Sequence, residues 1–313
     1  MTLPQYDELP VSAGDPPFRQ AWQVFPNNGL GTLNNLTNER RLAATRLVHH
    51  GLAIGLDHPL DLDMRIFPTR TKYSRRVYEL IPGGFYDEVI DGFSPQFSSQ
   101  WDALGHVSSA DGFFGGVPVA RGTGAVASPP GIDAPAERGI SGRGVLLDIA
   151  RYRAGMDSPL DPNVRTEIGT DVLDRVAEAQ GVVIGAGDIL LLRFGVDDAL
   201  HEIRAGRSSA ETFRMDCPGL EQSEDTLRWL WNHHIAAVCA DNVAVEVTPS
   251  LTFAKRLHPR LLGLLGLHLG ELFDLQDLGR RCAEFSTYEF LFVSKPWFIP
   301  GGLGSPANAL AIL

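Results

Sequence analysis

The stretch from Gly142 to Gly195 constrains the fold more than any other part of the chain. It opens on "GRGVLLDIA" (142–150), passes through "TDVLDRVAEAQG" (170–181) and ends in "GDILLLRFG" (187–195). The two outer pieces are short apolar runs bounded by glycine, the pattern of buried strands. The middle piece is an amphipathic helix closed by Gly181. The alternation repeats downstream, where "EDTLRWLWNHH" (224–234) reads as a helix leading into the strand "IAAVCADN" (235–242). Helices interspersed with buried strands specify an α/β class with a mixed central sheet. Around this frame, "TNERRLAATRLVHHG" (37–51) reads as a helix capped by Thr37 or Asn38 and ended by Gly51, and "LAIGLDHPL" as a strand. "CAEFSTYEFLFVSKPW" (282–297) reads as late strands and "PGGLGSPANALAIL" as turns followed by a small-residue strand. Residues 1–35 form an irregular arm, and Pro- and Gly-rich segments run on to about residue 95. With no repeat or low-complexity tract, 1–313 reads as one domain carrying that arm.

Charge and composition exclude several partners. A net charge of −11 and a pI near 5.3 do not provide the basic footprint of a nucleic-acid binder. The longest apolar runs, such as "LLGLLGL" (261–267), are too short to span a membrane. Cys217, Cys239 and Cys282 are scattered, without CxxC spacing, which fits free thiols in a reducing cytoplasm. The N-terminal segment lacks the basic and apolar regions of a secretion signal. The expected setting is cytoplasmic and the expected ligand a small molecule.

Three clusters offer chemistry. In "QFSSQWDALGH" (96–106), Gln96, Ser98, Gln100 and Asp102 alternate, so an extended strand points all four to one face. His106 follows across a turn. Asp102 and His106 suit Zn²⁺ or Mn²⁺; the plainer reading is a solvated edge strand with a hydrogen-bonded histidine. In "RLHPRLLGLLGLHLGELFDLQDLG" (256–279), Glu271 sits among leucines, where burial requires a positive partner, a metal or an arginine. His268, three residues before it, can share a helix face with it; the plainer reading is a surface helix. Third, His233 and His234 precede a strand that ends at Asp241, although a helix C-terminus favours a histidine pair without any site. GxSxG, Walker and GxGxxG elements are missing from the sequence.

Taken in order, the motifs resemble the cyclase-like metal-dependent hydrolases, a family that includes bacterial kynurenine formamidase, isatin hydrolase and trans-dienelactone hydrolase. The resemblance rests on "LGTLNNLT" (30–37), "GRGVLLDI", "GDILLLRFG", "AVCADNVAVE" and "GSPANALAI". The family's metal motif, H-x-G-T-H-x-D-x-P-x-H, places its first two histidines on Gln96 and Gln100, its Thr on Ser99, its Asp on Asp102 and its last His on His106. A downstream histidine and glutamate fall on His258 and Glu271. The resemblance therefore implies a swivelling β/β/α-type fold and a homodimer or homotetramer. It also implies one divalent metal, Zn or Mn, at Asp102, His106, His258 and Glu271, with the glutamines replacing the other half of a two-metal pattern. Two other arrangements are open: a harder ion held partly through the glutamine oxygens and water, and a metal-free acid/base set.

The activity implied is hydrolysis of a small amide or lactone by metal-activated water, with Asp102, His106 and Glu271 as the catalytic groups. Gln96, Ser99 and Gln100 would bind substrate or position water, and Trp101, Phe113 and Phe114 would be aromatic walls; core packing is the commoner role for such aromatics. The alternatives are a non-hydrolytic cyclase or isomerase, and a binding protein that keeps the pocket without catalysis.

Overall fold

The structure is a computed structural model that describes residues 3–60, 70, 73–119 and 129–313. Thirteen strands are found among these residues: β1 Ala53–Gly55, β2 Ser74–Ile81, β3 Phe85–Asp91, β4 Gln100–Asp102, β5 Ile140–Asp148, β6 Glu167–Ile168, β7 Ile189–Arg193, β8 Gly219–Leu220, β9 Ala237–Ala240, β10 His268–Glu271, β11 Glu289–Ser294, β12 Gly304–Pro306 and β13 Ala309–Ile312. The α-helices are α1 Asn38–Ala44, α2 Asp133–Arg138, α3 Ile149–Ala154, α4 Thr170–Gln180, α5 Val196–Arg204, α6 Glu224–Asn232 and α7 Gln276–Phe285. Nine strands form one mixed sheet in the order β1-β13-β11-β5-β7-β9-β10-β4-β12. Its centre, β5-β7-β9-β10, is parallel and its flanks are antiparallel.

Strands β7 and β9 and the second half of β5 are mostly apolar because both of their faces are covered. Val145, Leu147, Leu190, Leu192 and Val238 join one core with Val172, Leu173 and Val176 of α4 and Leu227 and Leu230 of α6. Leu146, Ile189, Leu191 and Cys239 face the other core, which α7 closes with Leu278 and Cys282. Helix α4 ends where the sequence indicates, at Gly181 in the left-handed region (φ 69°). Helix α6 starts at Ser223, whose hydroxyl accepts from Thr226 N–H at 3.2 Å. No helix among the described residues is long and apolar enough to cross a membrane. The three cysteines are free and buried.

Three expectations are corrected. The helix read over 37–51 is α-helical only over Asn38–Ala44. Thr37 caps it, but Thr45 turns its hydroxyl back to Leu42 O at 2.7 Å and the chain tightens into a 3₁₀ turn. The run 282–297 is strand only from Glu289; its first residues complete α7, which ends at Ser286 in the left-handed region (φ 52°). The Pro- and Gly-rich region before residue 95 holds the hairpin β2–β3. Nearly all of its side chains are exposed, so no burial alternation marks it in the sequence.

Gly144 of β5 pairs with Phe290 of β11, and a Cβ there would stand 2.3 Å from Phe290 Cε2. Gly144→Val is expected to destabilise the fold by about 1–3 kcal/mol through overpacking, read as a lower urea midpoint with an unchanged slope.

Candidate metal centre

The site is built on the pairing of β4 with β10. Their antiparallel register sets Leu269 opposite Asp102, Gly270 opposite Trp101 and Glu271 opposite Gln100. Side chains alternate across the sheet, so Gln100, Asp102 and Glu271 share one face and Trp101 takes the other. His268 lies on a strand, not a helix, and three residues of strand place it on the face away from Glu271. It is fully buried with Nδ1 3.3 Å from Asp102 O, and burial pushes its pKa down to about 4.

His258 reaches the same face from the turn before a π-helix, Pro259–Leu265. Its Nε2 lies 2.8 Å from Glu271 Oε1 and 3.7 Å from Asp102 Oδ2. Its Nδ1–H donates to Glu246 Oε1 at 2.5 Å. Glu246 is positioned by the turn that follows β9, which Asn242 shapes by accepting Val245 N–H at 2.7 Å and donating to Pro218 O at 2.7 Å. The Glu246 carboxylate also accepts the N–H groups of Leu257 and His258. Burial alone would raise its pKa, but His258 and these N–H groups outweigh that and lower it. Burial would likewise lower His258, yet its bonds to Glu246 and Glu271 raise it well above the usual histidine range. Glu271 is raised to about 7, first by burial and then by the charge of Asp102.

The glutamines fill the remaining side. Gln96 Nε2 donates to Asp102 Oδ1 at 2.6 Å and lies 2.9 Å from His106 Nδ1. Gln100 Nε2 donates to Glu271 Oε2 at 2.6 Å and approaches Asp102 Oδ1 at 3.4 Å. Gln100 Oε1 in turn accepts from Arg70 Nη1 at 2.9 Å. Both amides therefore present nitrogen, not oxygen, to the carboxylates. An amide N–H₂ has no lone pair to give a metal, so this geometry does not support the arrangement in which glutamine oxygens hold a harder ion.

The donor set of Asp102, His258 and Glu271 fits a divalent ion. One ligand atom from each lies within 4.8 Å of the others. Asp102 is fully buried, and its Oδ2 has no hydrogen-bond partner among the described residues. A buried carboxylate oxygen without a donor is costly, and a cation relieves it. His106 is not one of the trio. Its Nδ1 lone pair faces the Gln96 amide at 2.9 Å, its Nε2 stands 3.8 Å from Asp102 Oδ1, and burial lowers its pKa. Two of the trio, His258 and Glu271, line a cavity of about 370 Å³ together with His106, Arg70, Glu246, Val107, Met215, Val243 and Phe253; Asp102 lies buried behind them.

Several candidates lie elsewhere. Trp101 is fully buried against Phe273 and Phe292, with Nε1–H donating to Ser294 Oγ at 2.9 Å. The hydroxyl of Ser99 is spent on backbone, accepting from His58 N–H at 2.8 Å and donating to Leu272 O at 2.5 Å. Phe113 and Phe114 are buried, Phe114 against Gly266, and neither lines the cavity. Asp241 accepts the N–H groups of Phe194, Gly195 and Val196 at the start of α5. His233 bonds back to Trp229 O within its own helix terminus. These are packing and capping roles. Gln96 enters from a turn, since β4 spans only three residues, and Ser98 Oγ is buried without a partner among the described residues.

The cyclase family model matches residues 54–247, more than half of the chain. The chain belongs to the cyclase family. A comparison with curated proteins returns no match. Among solved structures, the chain is similar to one described as a novel cyclase, with 29% identity, a TM-score of 0.80 and coverage of 94% of this chain and 99% of that one. Isatin hydrolase A from Labrenzia aggregata, bound to benzyl benzoate, gives 19% identity and a TM-score of 0.57 over 88% of this chain and 98% of that one. A predicted metal-dependent hydrolase from Bacillus stearothermophilus gives 16% and 0.52 over 83% and 97%. At these lower identities the likeness shows the shared fold.

Two residues of this site carry no individual signal in the sequence. Glu246 ends the quoted "AVCADNVAVE", but only the fold brings it to His258. Arg70 lies in a segment without a motif. Because Glu246 fixes the His258 ring, Glu246→Gln is expected to weaken Zn²⁺ or Mn²⁺ binding by about 10–100-fold, measured by calorimetric titration of the metal-stripped protein. A second expectation concerns His268. Its folded pKa of about 4 lies below the unfolded value of 6.5, so the neutral form is favoured in the fold. Its contribution is fully present above pH 6.5 and is lost as pH falls towards 4, amounting to roughly 3 kcal/mol. Urea titrations of the chain and of His268→Asn across pH 4–7 should show a shallower acid slope in the variant.

Proposed function

We propose that this member of the cyclase family is a metal-dependent hydrolase of a small amide or lactone, with one Zn²⁺ or Mn²⁺ held by Asp102, His258 and Glu271. One observation carries the reading: Asp102 Oδ2, without a hydrogen-bond partner among the described residues, faces His258 Nε2 at 3.7 Å beside Glu271, and His258 and Glu271 line a cavity sized for a small ligand. Two carboxylates and an imidazole are a donor set suited to either ion. When bound, such an ion supplies Lewis acidity at neutral pH.

The chain's own groups account for the rest of the chemistry. Glu246 holds the Nδ1 proton of His258, so Nε2 is the nitrogen turned to the site. Glu271, raised to about 7 by burial and by the charge of Asp102, must give up its proton to serve as a ligand, so ion binding there is expected to strengthen as pH rises. His106 is neutral and accepts from Gln96 at Nδ1, which leaves Nε2–H to donate to a substrate carbonyl or leaving group. Arg70, bonded to Gln100, lends positive charge to the wall where a carbonyl oxygen or a carboxylate product would develop charge. Val107, Val243, Met215 and Phe253 provide the apolar surface for the body of the substrate.

The test combines elemental analysis with a panel of an N-formyl amide, an isatin-like lactam and a lactone. The expected result is hydrolysis of at least one class, lost on chelation, restored by Zn²⁺ or Mn²⁺, and reduced by about 100-fold or more in Asp102→Asn. Full activity in a protein shown to be metal-free would overturn the metal-dependent reading. An inactive chain that still binds the panel compounds would point to a binding protein.

A further inference from the structure

We infer that His58, His201 and Asp274 form a second binding site, for a divalent transition-metal ion of the zinc class. This site shares no ligand with Asp102, His258 and Glu271. His58 follows β1, His201 lies in the last turn of α5, and Asp274 follows β10. Three remote segments thus converge, and one ligand atom from each lies within 4.8 Å of the others.

Two observations point to an ion. The first is spacing. His201 Nε2 lies 2.9 Å from Asp274 Oδ1, and His58 Nδ1 lies 3.4 Å from Asp274 Oδ2. Ligand atoms bound tetrahedrally at about 2.0 Å from zinc stand about 3.3 Å apart, so little movement closes the set. The second is the His58 ring. Its side chain is 2% exposed, and the nitrogen that faces Asp274, Nδ1, stands at 3.4 Å, longer than a good hydrogen bond. A buried imidazole that leaves its hydrogen-bonding capacity unused calls for a ligand.

The protonation state agrees. Burial lowers His58 to about 4, with His201 and Arg204 acting in the same direction and Asp274 opposing them. The ring is therefore neutral and its lone pair available. Two imidazoles and one carboxylate leave open positions on the ion, and His201 and Asp274, at 28% and 17% side-chain exposure, give it a path from solvent. The chemistry is that of a clamp joining β1, α5 and the exit of β10. Asp274 N–H already donates to Leu56 O at 3.0 Å, so two of the three segments are held in register before any ion arrives.

The experiment is Zn²⁺ titration of the untagged, metal-stripped full chain, with bound zinc counted by elemental analysis after dialysis. The chain is compared with His201→Asn, Asp102→Asn and the double variant. The expected result is that each single variant binds one ion fewer than the parent and the double variant binds two fewer. A His201→Asn chain that keeps the parent count overturns the second site. Loss of an ion in His201→Asn but none in Asp102→Asn supports the second site while counting against the centre proposed at Asp102. Should His201→Asn fail to fold, Co²⁺ added to His258→Asn decides: visible d–d bands then come from an imidazole outside the first centre and support the site, and their absence overturns it.

Discussion

The site depends on the pairing of three residues of β4 with β10. A one-residue slip would send every side chain of the shorter strand to the opposite face. What forbids the slip lies on the far side of the sheet. Trp101 is locked between Phe273 and Phe292 and donates to Ser294. Its partner position, Gly270, is closed to any larger residue, because a Cβ there would stand 2.6 Å from Phe273 and 3.0 Å from Cys239 Sγ. The apolar core thus fixes the register, and the register delivers Asp102 and Glu271 to one face as neighbours. Neither carboxylate is favourable there on its own. The packing energy of the aromatic side holds them in place.

Three buried carboxylates meet in this region, and the fold compensates them unequally. Glu246 is the best satisfied, with two backbone N–H groups and His258. Glu271 shares His258 and takes an amide from Gln100. Among the described residues, Asp102 receives amide donors at Oδ1 only. Neutral amides satisfy hydrogen-bonding capacity without neutralising charge, so the deficit collects between Asp102 Oδ2 and Glu271, where the Glu271 pKa is raised to about 7. The ionic imbalance and the geometric gap coincide at the same atoms.

How much of this is legible in the sequence follows from where burial leaves a pattern. Strands β5, β7 and β9 are apolar on both faces and stand out at once, as do α4 and α6 with their caps. The hairpin β2–β3 is exposed, so it has no periodicity to find. Asp102, His258 and Glu271 are indicated by residue type and by likeness to a family motif, because metal ligands are chemically unusual in apolar surroundings. Trp101 is misread as a cavity wall because adjacency in sequence says nothing about face until the strand is known. His268 fails for the related reason that a strand period, not a helix period, governs 268–271. Glu246 and Arg70 are invisible as site residues, since only tertiary contact gives them a role.

The glutamines bear most directly on what the site can bind. Reading them as weakened ligands assumes that their oxygens face the ion. The structure turns them the other way, and Arg70 supplies the cause: its guanidinium carries only donors, so Gln100 must offer it Oε1 and is left with Nε2 for Glu271. Gln96 is oriented by the acceptors at Asp102 Oδ1 and His106 Nδ1. A histidine at either position would bring a metal-binding lone pair; the amides bring donors that occupy the carboxylate oxygens on that side. Half of a two-metal arrangement is thereby closed by hydrogen bonds, and the open coordination is confined to the edge formed by Asp102 Oδ2, His258 Nε2 and Glu271. On the proposed reading, substrate chemistry is organised around that one edge, with Arg70 and His106 in the lining of the adjoining cavity.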